Sequence, residues 1–492
     1  MPRPGARPGP PPGLVLAWRP PRRECRAIDP STLSAGALVG LYRRGALSPV
    51  EAARAALGRI ARGNPRLNAV IALDEAGARA AAARSEARWR AGCPAGPLDG
   101  VPLTVKDNIP AAGLPCRWGS PAWPGGVPAR DELPVARLRA GGAVILGKTN
   151  VPEFTLEGYT DNALFGPTRN PWDPRLTPGG SSGGAVAAVA SGMGPLALGT
   201  DGGGSIRRPA SHTGLVGLKP TPGRVPRAEG LPAILLDLEV IGPIARTVAD
   251  AALLLAAIAD PAPEDPLSRG IEPFAALDAA PRLRIRYVPR FGASPVDPGI
   301  ATSVAVAAGR LAALGHAVEE GPPPFDPDAV LPLFPAIAGA GLAWLLGSLP
   351  GHPSPSSPAL AAMAAAGRGA GAAALFGALD AMGAFRQAMA LFLTRDCDAI
   401  LTPAAAALPW PARESHPPVI DGQPAGPRGH AVFTNFANLG ALPAIALPGD
   451  PVAGLPAGFQ LVGAPGSEAA LLAVGAAYEA AHPWADRWPD LA

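Results

Sequence analysis

The apolar positions change rhythm along the chain. Between residues 30 and 92 they keep helical spacing, with Leu33, Leu38, Leu41 and Tyr42 on one face, which predicts helices there. Ser48-Pro49-Val50-Glu51 offers an N-cap serine, a proline at the first helical position and an acid in the first turn, the marks of a helix start. Beyond residue 92, short continuous apolar runs replace the periodicity. One covers 101–105 and ends at Lys106, a second covers 143–146, and a third covers 195–199 and leads into a turn-like stretch at 200–204. Runs at 284–288 and 399–401 add later strands. Buried strands alternating with Ala-rich helices predict an α/β architecture. The Ala-rich segment 359–393 carries Arg368, Arg386 and several glycines and reads as a packed helical region. No uninterrupted apolar stretch approaches the roughly 18–20 residues of a membrane span, so none is expected. Residues 261–266 and 350–357 read as surface loops, and no internal repeat is seen.

Composition narrows the classes. A chain of 492 residues with 48% apolar and 16% charged side chains can bury a large core. A net charge of +3 is small for this length and gives no nucleic-acid footprint. Residues 1–26 are Pro- and Arg-rich and read as a disordered tail; their apolar run at 13–18 is too short for a signal-peptide core. Cys25, Cys93, Cys116 and Cys397 are widely spaced and form no CxxC pair, and the six histidines are scattered without HExxH. Neither a zinc site, another metal nor a disulfide framework is therefore expected, and the expected compartment is the reducing cytoplasm.

Lysine is the exception in this composition. Lysine and arginine total 42, and three are lysines, Lys106, Lys148 and Lys219, which leaves 42 − 3 = 39 arginines. Arginine stays protonated, whereas a buried lysine can be neutral and act as a base. A lysine kept under such a bias is a candidate for chemistry that arginine cannot do. Lys148 lies in Gly142-Ala143-Val144-Ile145-Leu146-Gly147-Lys148-Thr149, which satisfies GxxxxGK[ST]. A phosphate loop needs a flexible loop after a strand and a helix after the loop. Here the intervening residues are themselves strand formers and Asn150-Val151-Pro152 follows, so nucleotide binding is not expected.

Two Gly/Ser clusters remain. Gly179-Gly180-Ser181-Ser182-Gly183-Gly184 precedes an apolar helix at 185–190, and its glycines allow unusual backbone angles and close approach. In 200–209, Thr200-Asp201-Gly202-Gly203-Gly204-Ser205-Ile206-Arg207-Arg208-Pro209, a strand runs into a Gly-rich turn that ends in a serine near a helix start. Backbone amides there can hold an oxyanion beside a nucleophilic serine. Asp201 and Arg207 read as a structural pair bracing the loop. The nucleophile-elbow pattern GxSxG is absent around Ser205, and His212 reads as a core or loop residue, so the serine has no evident histidine base.

These clusters, with Ser181 and Ser205 spaced 24 residues apart, resemble the amidase signature family. Lys106 in Val105-Lys106-Asp107 sits where the family's lysine does. Asn162, Gly166, Asn170-Pro171 and the stretch 214–221 also fit, while 435–448 and 456–460 resemble the family's closing segment more loosely. The likeness covers roughly residues 30–490. It implies one α/β/α sandwich domain around a large mixed β-sheet, here residues 27–492. It implies a Ser-Ser-Lys triad in which Ser205 is the acyl-accepting nucleophile and Ser181, after a cis Gly180–Ser181 peptide, relays protons to Lys106. Backbone N–H groups of Gly202, Gly203, Gly204 and Ser205 would form the oxyanion hole, and no cofactor or metal is implied. A neutral Lys106 near pH 7 requires a fall of about three units from its ordinary value near 10.4. Burial at the end of an apolar strand acts that way, and Asp107 points to the opposite strand face; Lys148 and Lys219 are left with structural roles.

The activity implied is hydrolysis of a carboxamide to an acid plus ammonia or an amine. The alternative is the A subunit of a glutamyl-tRNA amidotransferase, the glutaminase component of a complex, although residues 320–430, rich in Ala and Pro, look unlike what that component needs. The expected partner is a small-molecule amide, without nucleic acid or membrane, with a homodimer as an admissible assembly.

Overall fold

Why does the chain fold around a sheet? Its apolar runs are too short for helices and too continuous for surface strands, so they pair with one another and are covered on both sides. The computed structural model describes residues 29–276 and 279–490; the tail expected at 1–26 lies outside the described residues. The strands are β1 Val70–Leu73, β2 Pro102–Lys106, β3 Val144–Thr149, β4 Leu196–Asp201, β5 Val216–Lys219, β6 Val240–Ala245, β7 Arg284–Tyr287, β8 Ala317–Glu320, β9 Ala399–Pro403, the short pair β10 Val419–Ile420 and β11 Gln423–Pro424, then β12 Ala444–Pro448 and β13 Gly458–Gly463. Eleven of them form one sheet in the order β1-β3-β2-β4-β6-β5-β12-β13-β9-β7-β8. The sheet is mixed. β2 is parallel to β3 and β4, and β7 to β8 and β9, whereas β4–β6, β5–β6, β5–β12, β12–β13 and β13–β9 are antiparallel. Every residue of β2, β3, β4, β6, β12 and β13 is buried. Both faces of the central sheet are therefore covered by helices, the α/β/α sandwich expected. The edge strand β8 is exposed and ends in Glu319-Glu320, charges that discourage pairing with another chain.

Several elements agree with the apolar pattern. Ser48 and Glu51 form a reciprocal capping box on the helix Pro49–Leu67. The GxxxxGK[ST] match falls in β3, so Lys148 is a strand residue. Eight strands, β1, β5, β6, β8, β10, β11, β12 and β13, escape the pattern, four of them for identifiable reasons. β1 has four residues and sits between helices Pro49–Leu67 and Glu75–Arg90. β6 carries Gly242-Pro243, which breaks its apolar run. β12 and β13 lie in segments rich in Gly and Pro. One expectation is corrected. The helical stretch Pro327–Ser348, helices Pro327–Val330 and Leu333–Ser348 joined through Leu331-Pro332, is long and apolar enough, by length and composition, to cross a bilayer. It buries Phe334, Ile337, Leu342, Leu345 and Leu346 within the fold.

Candidate active site

Parallel neighbours β2 and β4 bring their C-terminal ends to the same edge of the sheet. Lys106 ends β2, and Thr200-Asp201 end β4. The loop before the helix Gly183–Ala190 lays Ser181 across them. Lys106 Nζ lies 2.8 Å from Ser181 Oγ, 2.8 Å from Thr200 Oγ1 and 3.1 Å from Thr200 O. The Gly180–Ser181 peptide is cis. Ser182 ties this loop to the next, its N–H donating to Ser205 O (3.1 Å) and its hydroxyl to Thr200 O (3.2 Å). Lys106, Ser181 and Ser205 are thus gathered at one edge and are 0%, 1% and 7% exposed, so the nucleophile candidate is the one reachable from outside. No direct hydrogen bond joins the Ser181 and Ser205 hydroxyls among the described residues.

The surroundings of Lys106 suit an uncharged amine. Burial pushes its pKa down to about 7, the nearby Glu239 and Asp201 charges oppose this, and Arg208 and Arg227 reinforce it. Thr200 turns its own hydroxyl proton toward Asn108 Oδ1 at 3.4 Å and accepts from Asn108 Nδ2 at 3.1 Å. Thr200 O and Oγ1 are then both acceptors for Nζ. A neutral amine has two protons, which those oxygens take, and one lone pair, which is left facing the Ser181 hydroxyl. Asp107 is turned away: its carboxylate accepts from Arg117 N–H (3.1 Å) and lies 4.0 Å from Lys148 Nζ.

The other two lysines are anchors. Lys148 donates to Asp107 O (3.1 Å) and Ile109 O (2.6 Å). Lys219 is also pushed down to about 7 by burial and by Arg207, yet it donates to Pro220 O (2.8 Å). A depressed pKa alone therefore does not distinguish Lys106 from Lys219; the contact with Ser181 does. His212 is a core histidine. Burial pushes it down to about 4, and its Nε2 lies 3.1 Å from Ala407 O.

The turn after β4 hangs on one carboxylate. Asp201 Oδ1 accepts from Gly204 N–H (2.7 Å), Arg207 Nη2 (3.0 Å) and Asn438 Nδ2 (3.0 Å), and Oδ2 accepts from Ile206 N–H (3.1 Å) and Arg207 Nε (3.0 Å). Burial alone would raise its pKa, but Arg207 and these bonds hold it well below the usual carboxylate range. The bracing pair read from the sequence is present. It also corrects the oxyanion set, because Gly204 N–H is already committed to Asp201. Among the described residues, the N–H groups of Gly202, Gly203 and Ser205 have no hydrogen-bond partner, and these three can meet an oxyanion. The Gly203 carbonyl is held by Arg208 and by Thr434 Oγ1 (2.8 Å). Arg207 reaches further, to Gln460 Oε1 (2.8 Å) and Asn438 Oδ1 (2.6 Å).

Sequence reasoning misses Thr200, Asn108, Thr434, Asn438 and Gln460. Gln460 carries one usable signal, a lone amide inside an otherwise apolar segment. A cavity of about 330 Å³, lined in part by Asn108, Leu235 and Glu239, borders the Gly202 side of the turn. Among the described residues, no group of three His, Cys, Asp or Glu side chains is placed to hold a metal.

With this geometry in hand, likenesses to known proteins are informative. A family model described as Amidase matches residues 51–472. The A subunit of the glutamyl-tRNA(Gln) amidotransferase from Symbiobacterium thermophilum is 36% identical over 475 residues, covering 91% of this chain and 96% of that protein. Among solved structures, a bacterial aryl acylamidase of the amidase signature family aligns with a TM-score of 0.84 at 29% identity, over 92% of this chain and 96% of that one. The A subunit of the glutamyl-tRNA(Gln) amidotransferase from Thermotoga maritima aligns with a TM-score of 0.76 at 26% identity, over 93% and 96%. Two expectations are corrected. The partner set of a small molecule without nucleic acid does not stand, because curated relatives are named as subunits of an enzyme for a tRNA. Residues 320–430 do not set the chain apart from those relatives either, since the match runs through them.

Asp201→Ala is expected to leave Arg207 uncompensated in the core and to cost about 3–5 kcal/mol of stability. Urea unfolding measures this, and an unchanged midpoint would show that the pair does not brace the turn.

Proposed function

Because the chain belongs to the amidase signature family, we propose that it cleaves the C–N bond of a carboxamide through an acyl-enzyme on Ser205. The observation that carries this reading is the 2.8 Å contact of Lys106 Nζ with Ser181 Oγ, in a shell that accepts both protons of a neutral amine. In the proposed first half-reaction Ser205 Oγ attacks the amide carbon while its proton passes through Ser181 Oγ to Lys106 Nζ. The N–H groups of Gly202, Gly203 and Ser205 receive the oxyanion. The Lys106 ammonium, favoured by Glu239 and Asp201, returns the proton through Ser181 to the leaving nitrogen. The C–N bond breaks, and ammonia or an amine departs. Water then attacks the acyl ester with the same relay reversed, releasing the carboxylic acid and restoring Ser205. Thr200 is a positioning residue that acts by orienting Nζ.

The names of the curated relatives favour a finer reading: the glutaminase component of a glutamyl-tRNA(Gln) amidotransferase, its A subunit, working with partner proteins. The higher structural likeness to the aryl acylamidase, 0.84 against 0.76, keeps a free-standing amidase as the second reading.

Ser205→Ala is expected to abolish amide hydrolysis, and Lys106→Arg to lower kcat by about 10²–10⁴-fold. For the unaltered chain kcat/KM is expected to rise with pH through about 7 and then level off, because Lys106 is a base only when deprotonated. A profile already flat below that value would remove the neutral-lysine mechanism. The finer readings separate on the purified chain assayed with glutamine and with aryl amides. Glutamine hydrolysis that appears on adding partner proteins and tRNA supports the amidotransferase component; rapid aryl-amide hydrolysis by the chain alone supports the free-standing amidase.

A further inference from the structure

The Gly203 side of the turn is walled by two side chains. A methyl group on Gly203 would sit 2.9 Å from the Phe334 ring and 3.4 Å from Arg428 Nη2. The Arg428 guanidinium lies over that ring, 4.5 Å from its centroid. Three other buried or partly buried arginines near the site meet carboxylates: Arg207 meets Asp201, Arg227 meets Glu132 and Glu239, and Arg386 meets Asp237. Among the described residues the Arg428 guanidinium has neither an ion pair nor a hydrogen bond, and its Nη2 is buried without a partner.

The groups around it add no negative charge. Arg208 is 2% exposed, its acceptors are the neutral oxygens of Gly203, Thr434 and Gly180, and its Nε is unpartnered. Burial, and then the Arg428 charge, push Arg208 down to about 9, while Asp201, already engaged by Arg207, opposes. His430 is 1% exposed with both ring nitrogens unpartnered. Burial and the charges of Arg208 and Arg428 hold it neutral. Arg428 is only partly buried as a residue, but its Nη2 is cut off from water, and a guanidinium nitrogen so placed among cationic or neutral neighbours is costly unless an anion joins it.

We propose that the substrate carries a carboxylate at the end remote from the scissile amide and that Arg428 binds it while Phe334 packs against the intervening carbons. This rests on Ser205 being the reacting centre. Gly203 lies two residues from Ser205, at most about 7 Å along the backbone. A carboxylate on Arg428 is then separated from the amide carbonyl by roughly two to four carbons. The chemical class is the monoamide of a short dicarboxylic acid, which includes the side-chain amide of an amino acid such as glutamine.

The test has a binding arm and a kinetic arm. Glutarate, the product-like dicarboxylate, is expected to raise the melting temperature of the unaltered protein and of Ser205→Ala, and to lose that effect in Arg428→Met. In the kinetic arm, Arg428→Met is expected to lower kcat/KM for glutaramate about 10- to 100-fold more than for its uncharged methyl ester, the worth of one charge-assisted bond. Most of the difference should fall in KM, and Arg428→Lys should recover part of it. Equal losses for the two amides, or no glutarate shift in any of the proteins, overturns the assignment. Comparing glutaramate with glutamine separates a plain dicarboxylate monoamide from an amino-acid amide. If Ser205→Ala kept full activity the acyl-enzyme reading would fall, while the glutarate shift would still report on Arg428.

Discussion

The buried carboxylate of Asp201 is the constraint on which the rest of the site depends. A charge with no access to water must be met by donors on every side. Those donors are the N–H groups of Gly204 and Ile206, the guanidinium of Arg207 and the amide of Asn438. Satisfying them bends the backbone after β4 into one shape. That shape leaves the N–H groups of Gly202, Gly203 and Ser205 without a partner among the described residues. A loop of three glycines would otherwise be the least ordered part of the molecule. Here a single ionised group gives it fixed geometry, and the preorganisation that acyl-transfer chemistry needs follows from electrostatics rather than from packing.

The sheet supplies the complementary condition. Because β2 and β4 run parallel and adjacent, Lys106 is delivered to the same edge as the turn, at a position walled by apolar strands. Burial there pushes the ammonium's pKa down to about 7, and Thr200 and Asn108 orient the lone pair of the neutral form. Lys219 shows that these are separate jobs. It is equally buried and equally shifted, but its Nζ donates to the Pro220 carbonyl and does not meet a serine hydroxyl.

Much of this is legible in the chain because it is local. The strands ending at Lys106 and Thr149 are continuous apolar runs. The scarcity of lysine draws attention to Lys106, and the two Gly/Ser clusters mark both serines. What is not legible depends on residues far apart in sequence. Nothing near Gly204 says that its N–H is committed to Asp201. Nothing in the segment around Arg428 distinguishes it from the other arginines, since its lack of a carboxylate partner exists only once Phe334 and Gly203 are beside it. β6 is obscured by its own Gly242-Pro243, which fits the sheet because its neighbours tolerate it. The helical stretch Pro327–Ser348 is obscured in the opposite sense: it holds residues that break an isolated helix, and tertiary packing overrides them.

The reach of Arg207 has a consequence for the order in which the protein is made. Its partners Asn438 and Gln460 lie 231 and 253 residues further along the chain. During synthesis the ribosome delivers the lysine, both serines and the glycine turn well before those amides exist. Until residue 460 has emerged, the buried ion pair lacks its last acceptors and the turn lacks its fixed shape. A nascent chain therefore carries the proposed catalytic side chains long before their turn is fully braced, and the bracing is completed late, when the closing strand β13 is added to the sheet.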